Sequence, residues 1–290
     1  MGDEGGFPPP GYAVGVVGLG LMGGSLAASL RQAWPQARIL GVSRRAETLE
    51  WAVGRGWIDD GGMSLPEVLA GVQLAVLATP VRTIIEQVKE ADGLLPPGAV
   101  LTDVGSTKLE VVAAMSRTGR PDQCVGGHPM CGRESRGLEA AEPDLYRGAT
   151  WVLCPSRATA PGTVQVVSSL ARAVGARPLI LDAAEHDAIV ARTSHLPYLA
   201  ASALARAVAE AVPEGDLRAL SAGGYRDTTR LAASDVSMML DILLTNRAHV
   251  LAGLQALQQQ LGKIEQALAS GDEPGLAVLL EGARQSRRVP

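Results

Sequence analysis

Two patterns of apolar and polar positions divide the chain. From residue 13 to about 181, short apolar runs alternate with amphipathic stretches, the pattern of a parallel sheet wrapped by helices. The predicted strands cover 13–17, 38–42, 74–78, 99–103, 123–126, 150–154 and 177–181. Helical periodicity falls at 21–33, 46–55, 81–91 and 107–117. After residue 182 the strand signals vanish. The stretch 184–212 is rich in Ala, Leu and Val, and Pro197 is expected to kink any helix that runs through it. Farther on, Val250, Leu254, Leu257, Leu261, Ile264 and Leu268 alternate spacings of four and three, a heptad seam. Such a seam suits an intramolecular core helix and a subunit contact equally. The expected organisation is a loose tail over 1–12, a sheet domain over 13–182 and a helical domain over 183–290.

At 290 residues there is ample apolar content for a real core. A net charge of −4 and an isoelectric point near 5.6 give no electrostatic case for nucleic acid. Cys124, Cys131 and Cys154 form neither a CxxC pair nor a metal-ligand spacing, so they read as thiols of a reduced, cytoplasmic protein. Cys131 lies three residues past His128, which raises a Cys–His nucleophilic pair as an option. No apolar run has bilayer-spanning length, and the tail has no basic start or hydrophobic stretch of a signal peptide.

The first predicted strand runs into Gly18-Leu19-Gly20-Leu21-Met22-Gly23. Glycines at those three positions allow a tight turn, a close backbone approach to a pyrophosphate, and close helix–strand packing. The helix that follows offers free N–H groups and a positive dipole end to phosphates. The second strand ends in Ser43-Arg44-Arg45, with no carboxylate before Glu47. A hydroxyl and two guanidinium groups suit a ribose 2′-phosphate, which an acid would repel, so NADP is expected ahead of NAD. Thr79-Pro80 and Asp103 to Lys108 close later strands at the same carboxyl edge, and both loops are expected to face the cofactor cleft. Ser106 could touch ligand, cap the next helix, or do both.

His128 stands in a Gly-Gly-His-Pro turn at that same edge. A histidine there can take a hydroxyl proton while hydride leaves the same carbon; a hydrogen-bonded structural histidine is the plainer alternative. His195, ahead of Pro197, reads as a core histidine or a ligand, His186 as a helix-start residue, and His249 as part of a solvated helix face. Arg226 and Arg230 are one helical turn apart, with Asp227 available to pair one of them. Arg230 is the better candidate to grip a substrate carboxylate. Together these features imply a nicotinamide-dependent dehydrogenase for a small anionic substrate.

Five segments in order, 14–26, 102–108, Gly126-Gly-His-Pro-Met130, Ser194-His-Leu-Pro197 and Gly223-Gly-Tyr-Arg-Asp-Thr-Thr-Arg230, resemble the prephenate/arogenate dehydrogenase family. The resemblance implies an α/β fold, a Rossmann-like parallel-sheet domain followed by an all-helical dimerisation domain, and hence a homodimer. It implies oxidative decarboxylation of a cyclohexadienol in tyrosine biosynthesis. It makes His128 and Ser106 the groups at the substrate's ring hydroxyl, and Arg230 the carboxylate ligand. Ser194, His195, Tyr198 and Gly223 would line the pocket and Glu134 would gate it, while Arg133, where the family usually carries a Thr, would lie near the substrate side chain. Tyr198 stands where prephenate-preferring members carry a histidine. With the Ser-Arg nucleotide signature, this is similar to the arogenate-preferring, NADP-dependent branch. Two other readings are a related hydroxyacid or imino-acid dehydrogenase and a non-catalytic NADP sensor. The first needs a lysine in the helical half, where only Lys263 stands, in the heptad helix.

Overall fold

The computed structural model describes residues 8–9, 11–132 and 135–287. Its sheet half is built from β1 (Ala13–Val17), α1 (Leu21–Ala33), β2 (Arg38–Val42), α2 (Ala46–Gly54), β3 (Asp60–Gly62), α3 (Leu65–Leu69), β4 (Leu74–Leu77), α4 (Val81–Asp92), β5 (Val100–Asp103), α5 (Leu109–Met115), β6 (Cys124–Pro129), β7 (Thr150–Pro155), α6 (Pro161–Ala173) and β8 (Arg177–Ile180). The strand order is β3-β2-β1-β4-β5-β6-β7-β8. All neighbours run parallel except β6 and β7, which are antiparallel with His128 opposite Val152. The purely parallel sheet expected from the alternating pattern is thus corrected at one pair. An antiparallel neighbour is reached by a hairpin connection, which requires no crossover helix.

The central strands read as continuous apolar runs because helices cover both faces. On one face Leu26 and Leu30 of α1 and Val167 and Leu170 of α6 pack with Val14, Ile39 and Trp151. On the other, Val68, Ile84, Val88 and Val111 pack with Val17, Leu77 and Leu101. The order reverses between β1 and β4, so the crevice outside their carboxyl ends is the topological switch point.

The helical half comprises α7 (Ala183–Val190), α8 (Leu196–Ala211), α9 (Glu214–Leu220), α10 (Gly223–Thr229), α11 (Val236–Thr245), α12 (Arg247–Ser270) and α13 (Glu273–Ser286). Between α7 and α8 the chain makes a π-helical turn, Ala191–His195, in which Leu196 N–H reaches back to the Ala191 carbonyl. Pro197, two residues on, has no N–H to donate and cannot sustain ordinary α geometry there. The expected kink is therefore an inserted residue within a helix. Of the heptad residues, Val250 is buried and Leu254, Leu257 and Ile264 are half-buried, while Leu261 and Leu268 are 56% and 63% exposed. No helix among the described residues is long and apolar enough to cross a membrane.

Candidate active site

The loop after β1 is shaped by its glycines. Gly18 adopts φ +94°, and a Cβ there would lie 2.8 Å from Thr79 Cγ2, across the switch point. A Cβ on Gly23 would fall 2.0 Å from the Gly18 carbonyl oxygen. Gly20, in contrast, faces open space, with nothing within 4 Å of an added Cβ. That gap is the room a pyrophosphate needs against bare backbone. The first intrahelical bond of α1 runs from Gly24 N–H to the Gly20 carbonyl at 2.8 Å, so the N–H groups of the preceding turn have no helical acceptor. No acid sits in that turn. The cradle fits a dinucleotide phosphate bridge. Leu19 is buried against Gly41, so only its backbone can serve the ligand, and Leu21 and Met22 are half-buried. The Met22 carbonyl accepts the Tyr146 hydroxyl at 2.6 Å, which pins the helix start to the sheet through the Tyr146–Trp151 stack.

At the end of β2, Ser43 is half-buried and Arg44 and Arg45 are exposed; Arg45 caps α2 and its N–H donates to Ser43 Oγ at 3.3 Å. Thr79 donates its hydroxyl to the Gln87 side-chain oxygen at 2.6 Å, and Pro80 starts α4. Asp103, expected to line the cofactor cleft, is instead wholly buried. Its carboxylate accepts Gly105 N–H at 2.7 Å, Gly127 N–H at 3.0 Å and the ammonium of Lys108, itself fully buried. These three bonds tie the β5 loop to β6 from below, so the buried carboxylate is a staple beneath the cleft. Ser106 is half-buried in that loop. It does not cap α5: the helix begins at Leu109, and the Asp187 carboxylate of α7 accepts Lys108 N–H at 2.7 Å and Leu109 N–H at 2.9 Å.

His128 is half-buried at the end of β6. Gly127 must be glycine for β6 to lie this close to β5, since a Cβ would sit 2.4 Å from the Asp103 carbonyl. The His128 Nδ1 is 2.8 Å from His186 Nε2, and His186 Nδ1 is 2.7 Å from Asp187 Oδ1. Neither partner was legible as a site residue: His186 does lie in the first turns of α7, yet its ring reaches a strand 58 residues earlier. The only local signal is the Glu185-His186-Asp187 sequence itself. Asn246 donates to the Asp187 carbonyl at 2.7 Å and lies 3.4 Å from His195 Nδ1. His249 pairs with Asn246 Oδ1 at 2.9 Å, so it belongs to this network and not to the solvated face expected of it.

Burial holds the His128 imidazole well below the usual histidine range, and His186, Lys108 and His195 push it the same way. Burial also takes His195 down to about 4, against the opposing pull of Asp187. Both rings are neutral at pH 7. Burial pushes the Cys131 thiol up to about 11, which removes the thiolate that a Cys–His nucleophile requires.

Ser194 is exposed in the π turn, and Tyr198 is half-buried on α8. Gly223 opens α10, which packs on α8, and Arg230 follows α10 as the first residue of a 3₁₀ turn that also contacts α8. Arg226 donates to the Ser221 carbonyl at 3.1 Å. Arg133 and Glu134 lie outside the described residues. The helical half is fastened to the sheet half by Thr107–Thr245 at 2.8 Å, by the Arg136–Asp235 ion pair and by Arg82–Asp241 at 3.8 Å.

A dinucleotide cradle and a neutral, backed histidine at one sheet edge define a dehydrogenase site, and comparison with known proteins gives its family. The nucleotide-binding domain of prephenate dehydrogenase matches residues 26–180, and the prephenate dehydrogenase dimerization domain matches 182–282. The chain belongs to the prephenate dehydrogenase family. It is accordingly an NAD(P)-dependent oxidoreductase, with a mostly parallel Rossmann-like sheet domain and a helical second domain. A prephenate dehydrogenase of Lactococcus lactis is 33% identical over 281 residues, covering 94% of this chain and 76% of the relative. The crystal structure of prephenate dehydrogenase from Aquifex aeolicus, in complex with hydroxyphenyl propionate and NAD+, superposes with a TM-score of 0.89 at 30% identity, covering 97% of this chain and 98% of the other. Synechocystis arogenate dehydrogenase superposes at 0.82 with 31% identity, over 95% and 99%.

Proposed function

We propose that this chain catalyses the NADP-dependent oxidative decarboxylation of arogenate in tyrosine biosynthesis, as a cytoplasmic homodimer. The observation that carries the reading is His128: a neutral imidazole at the carboxyl edge of the sheet, with one nitrogen engaged by His186 and the other available to substrate. Gly18, Gly20 and Gly23 with the start of α1 would hold the pyrophosphate, and Ser43, Arg44 and Arg45 would serve the ribose and its 2′-phosphate. A nicotinamide bound there supplies the hydride acceptor for the ring carbinol carbon.

The chain's own residues manage the proton and the carboxylates. His128 takes the hydroxyl proton, Ser106 orients the hydroxyl, and Arg230 grips a carboxylate as a guanidinium fork. Ser194, His195, Tyr198 and Gly223 shape the rest of the pocket, and Arg133 and Glu134, outside the described residues, join the substrate set on their place in the sequence alone. The oxidised ring then loses CO2; the electron pair of the broken C–C bond enters the ring, which becomes aromatic, and the ring oxygen recovers the proton from His128. Aromatisation makes the step effectively irreversible. The dimer reading is supported by the family's domain description and by the apolar residues left on the helical half, among them Leu261 and Leu268.

Arogenate is favoured by Tyr198 and by the Ser-Arg-Arg end of β2, a pairing that resembles the NADP-dependent branch. A second reading, prephenate with NAD, is favoured by the names of the relatives and by the NAD+ bound in the Aquifex structure. Measuring kcat/KM for both substrates, each with NADP and NAD, tests the choice. Arogenate with NADP should have the highest value. A tenfold preference for prephenate, about 1.4 kcal/mol of transition-state discrimination, overturns the substrate assignment.

A further inference from the structure

A histidine that accepts a proton from substrate must present a bare ring nitrogen, and neutral imidazole has two tautomers of which one fails. The selection here is built into the helical half. Asp187 Oδ1 and Oδ2 already accept the backbone N–H groups of Lys108 and Leu109, donors that cannot reverse. The carboxylate therefore acts as acceptor toward His186, whose Nδ1 carries the hydrogen and whose Nε2 is bare. A bare Nε2 at 2.8 Å can only accept, so the hydrogen between the rings sits on His128 Nδ1. The His128 Nε2 is then unprotonated and is the one ring nitrogen left for substrate.

We propose that His186 and Asp187 are positioning residues that lock His128 in its Nδ1–H tautomer and hold the accepting Nε2 ready for the substrate hydroxyl. The inference rests on the proposed role of His128 as proton acceptor. The same pair steadies the charged state: once Nε2 is protonated, the imidazolium keeps its Nδ1–H bond to His186, which is in turn backed by the buried Asp187 carboxylate. The other groups facing this cluster do not supply that support. Lys108 on the β5 loop is paired to Asp103, His195 in the π turn is neutral, and Asn246 donates to the Asp187 carbonyl. The arrangement also makes the site composite, because His128 lies on β6 and its orienting pair on α7.

Two exchanges at position 186 separate hydrogen-bond polarity from bulk. Gln can donate to Asp187 through its amide nitrogen and accept from His128 through its oxygen, whereas Leu can do neither. His186→Leu should lower kcat about 10²–10³-fold with KM changed less than about threefold, the signature of a lost transition-state contribution. His186→Gln should stay within about tenfold of the parent. Asp187→Asn keeps an oxygen for Lys108 N–H and His186 Nδ1–H, turns its amide toward Leu109 N–H and removes the charge behind the chain, so it should lower kcat about 10–10²-fold without changing the tautomer. Imidazole ¹⁵N NMR reads the tautomer without turnover: His128 should be Nδ1–H in the parent, in His186→Gln and in Asp187→Asn, and should lose that bias in His186→Leu. His186→Leu still folds around an intact Asp187 cap of α5 if the substituted Asn variant does not. Full turnover in His186→Leu, equal losses for Gln and Leu, or an Nε2–H His128 in the parent would each overturn the proposal. Absence of turnover with either substrate would instead sink the functional reading, and the NMR result would still decide the tautomer.

Discussion

Replacing Lys108 with Met exposes how much the floor of the site depends on one buried ion pair. Lys108 and Asp103 are both at 0% exposure, and the ammonium fills one of three donor positions around the carboxylate. Methionine keeps the length of the aliphatic stem, so little packing is lost and the change isolates the charge. The carboxylate keeps the Gly105 and Gly127 N–H groups but loses its counter-charge in a water-free setting. Breaking such a pair from one side costs about 3–5 kcal/mol. At about 2–4 °C per kcal/mol, the melting temperature of the ligand-free protein should fall by roughly 6–20 °C. The double variant Lys108→Met, Asp103→Asn removes both charges and should recover at least about 1 kcal/mol relative to the sum of the single changes. Calorimetry and urea titration of the four proteins close the cycle. The change also reaches the histidine: Lys108 is one of the groups that depress His128, with His186 and His195. A cation nearby disfavours a second cation, so its removal raises the His128 value. The acid limb of kcat/KM, which lies below pH 6.5 in the parent, should move upward. A loss of stability under about 1 kcal/mol in Lys108→Met, or strict additivity in the cycle, refutes the reasoning.

Arg44→Ala should weaken NADP about 10–100-fold, the value of a charge-assisted bond, while NAD stays within about twofold; isothermal titration that found equal losses would show that Arg44 does not meet the 2′-phosphate. The 30.0 kDa chain should run as a dimer in light scattering, and Leu261→Glu with Leu268→Glu should yield the monomer mass; a monomeric parent at every concentration removes the subunit interface.

Local periodicity carried much of the sheet half. The strands Ala13–Val17 and Arg38–Val42 and the helix Leu21–Ala33 have the limits that their apolar runs and flanking glycine predict. What escaped was non-local. Asp60–Gly62 is a strand because Gly61 lies against β2 too closely for any side chain, a fit that no apolar alternation encodes. The antiparallel β6–β7 pair depends on how a long connection returns, and nothing within either strand states its direction. Near the proposed site, the place of His128 at the end of β6 was legible from its turn because Gly127 and Pro129 constrain it locally. His186 was not, since its bond to His128 exists only when α7 packs against the sheet half. Asp103 misled for a related reason: its place at a strand end is that of a ligand residue, and only the burial of Lys108 beside it reveals the staple.

The π-helical turn between α7 and α8 has a consequence for the spacing of this half of the molecule. An α-helix turns about 100° per residue, so one residue inserted into a ring rotates everything beyond it by about that angle. In Ala191–His195 that offset stands between the helix bearing His186 and Asp187 and the helix bearing Tyr198. The two helices behave as one rod cut and rejoined at a fixed twist. Deleting a single residue there would restore plain α register and swing Tyr198 about a quarter-turn round the axis while leaving every other side chain unchanged in type. Chain length at this point works as an angular setting, one that substitution alone cannot change.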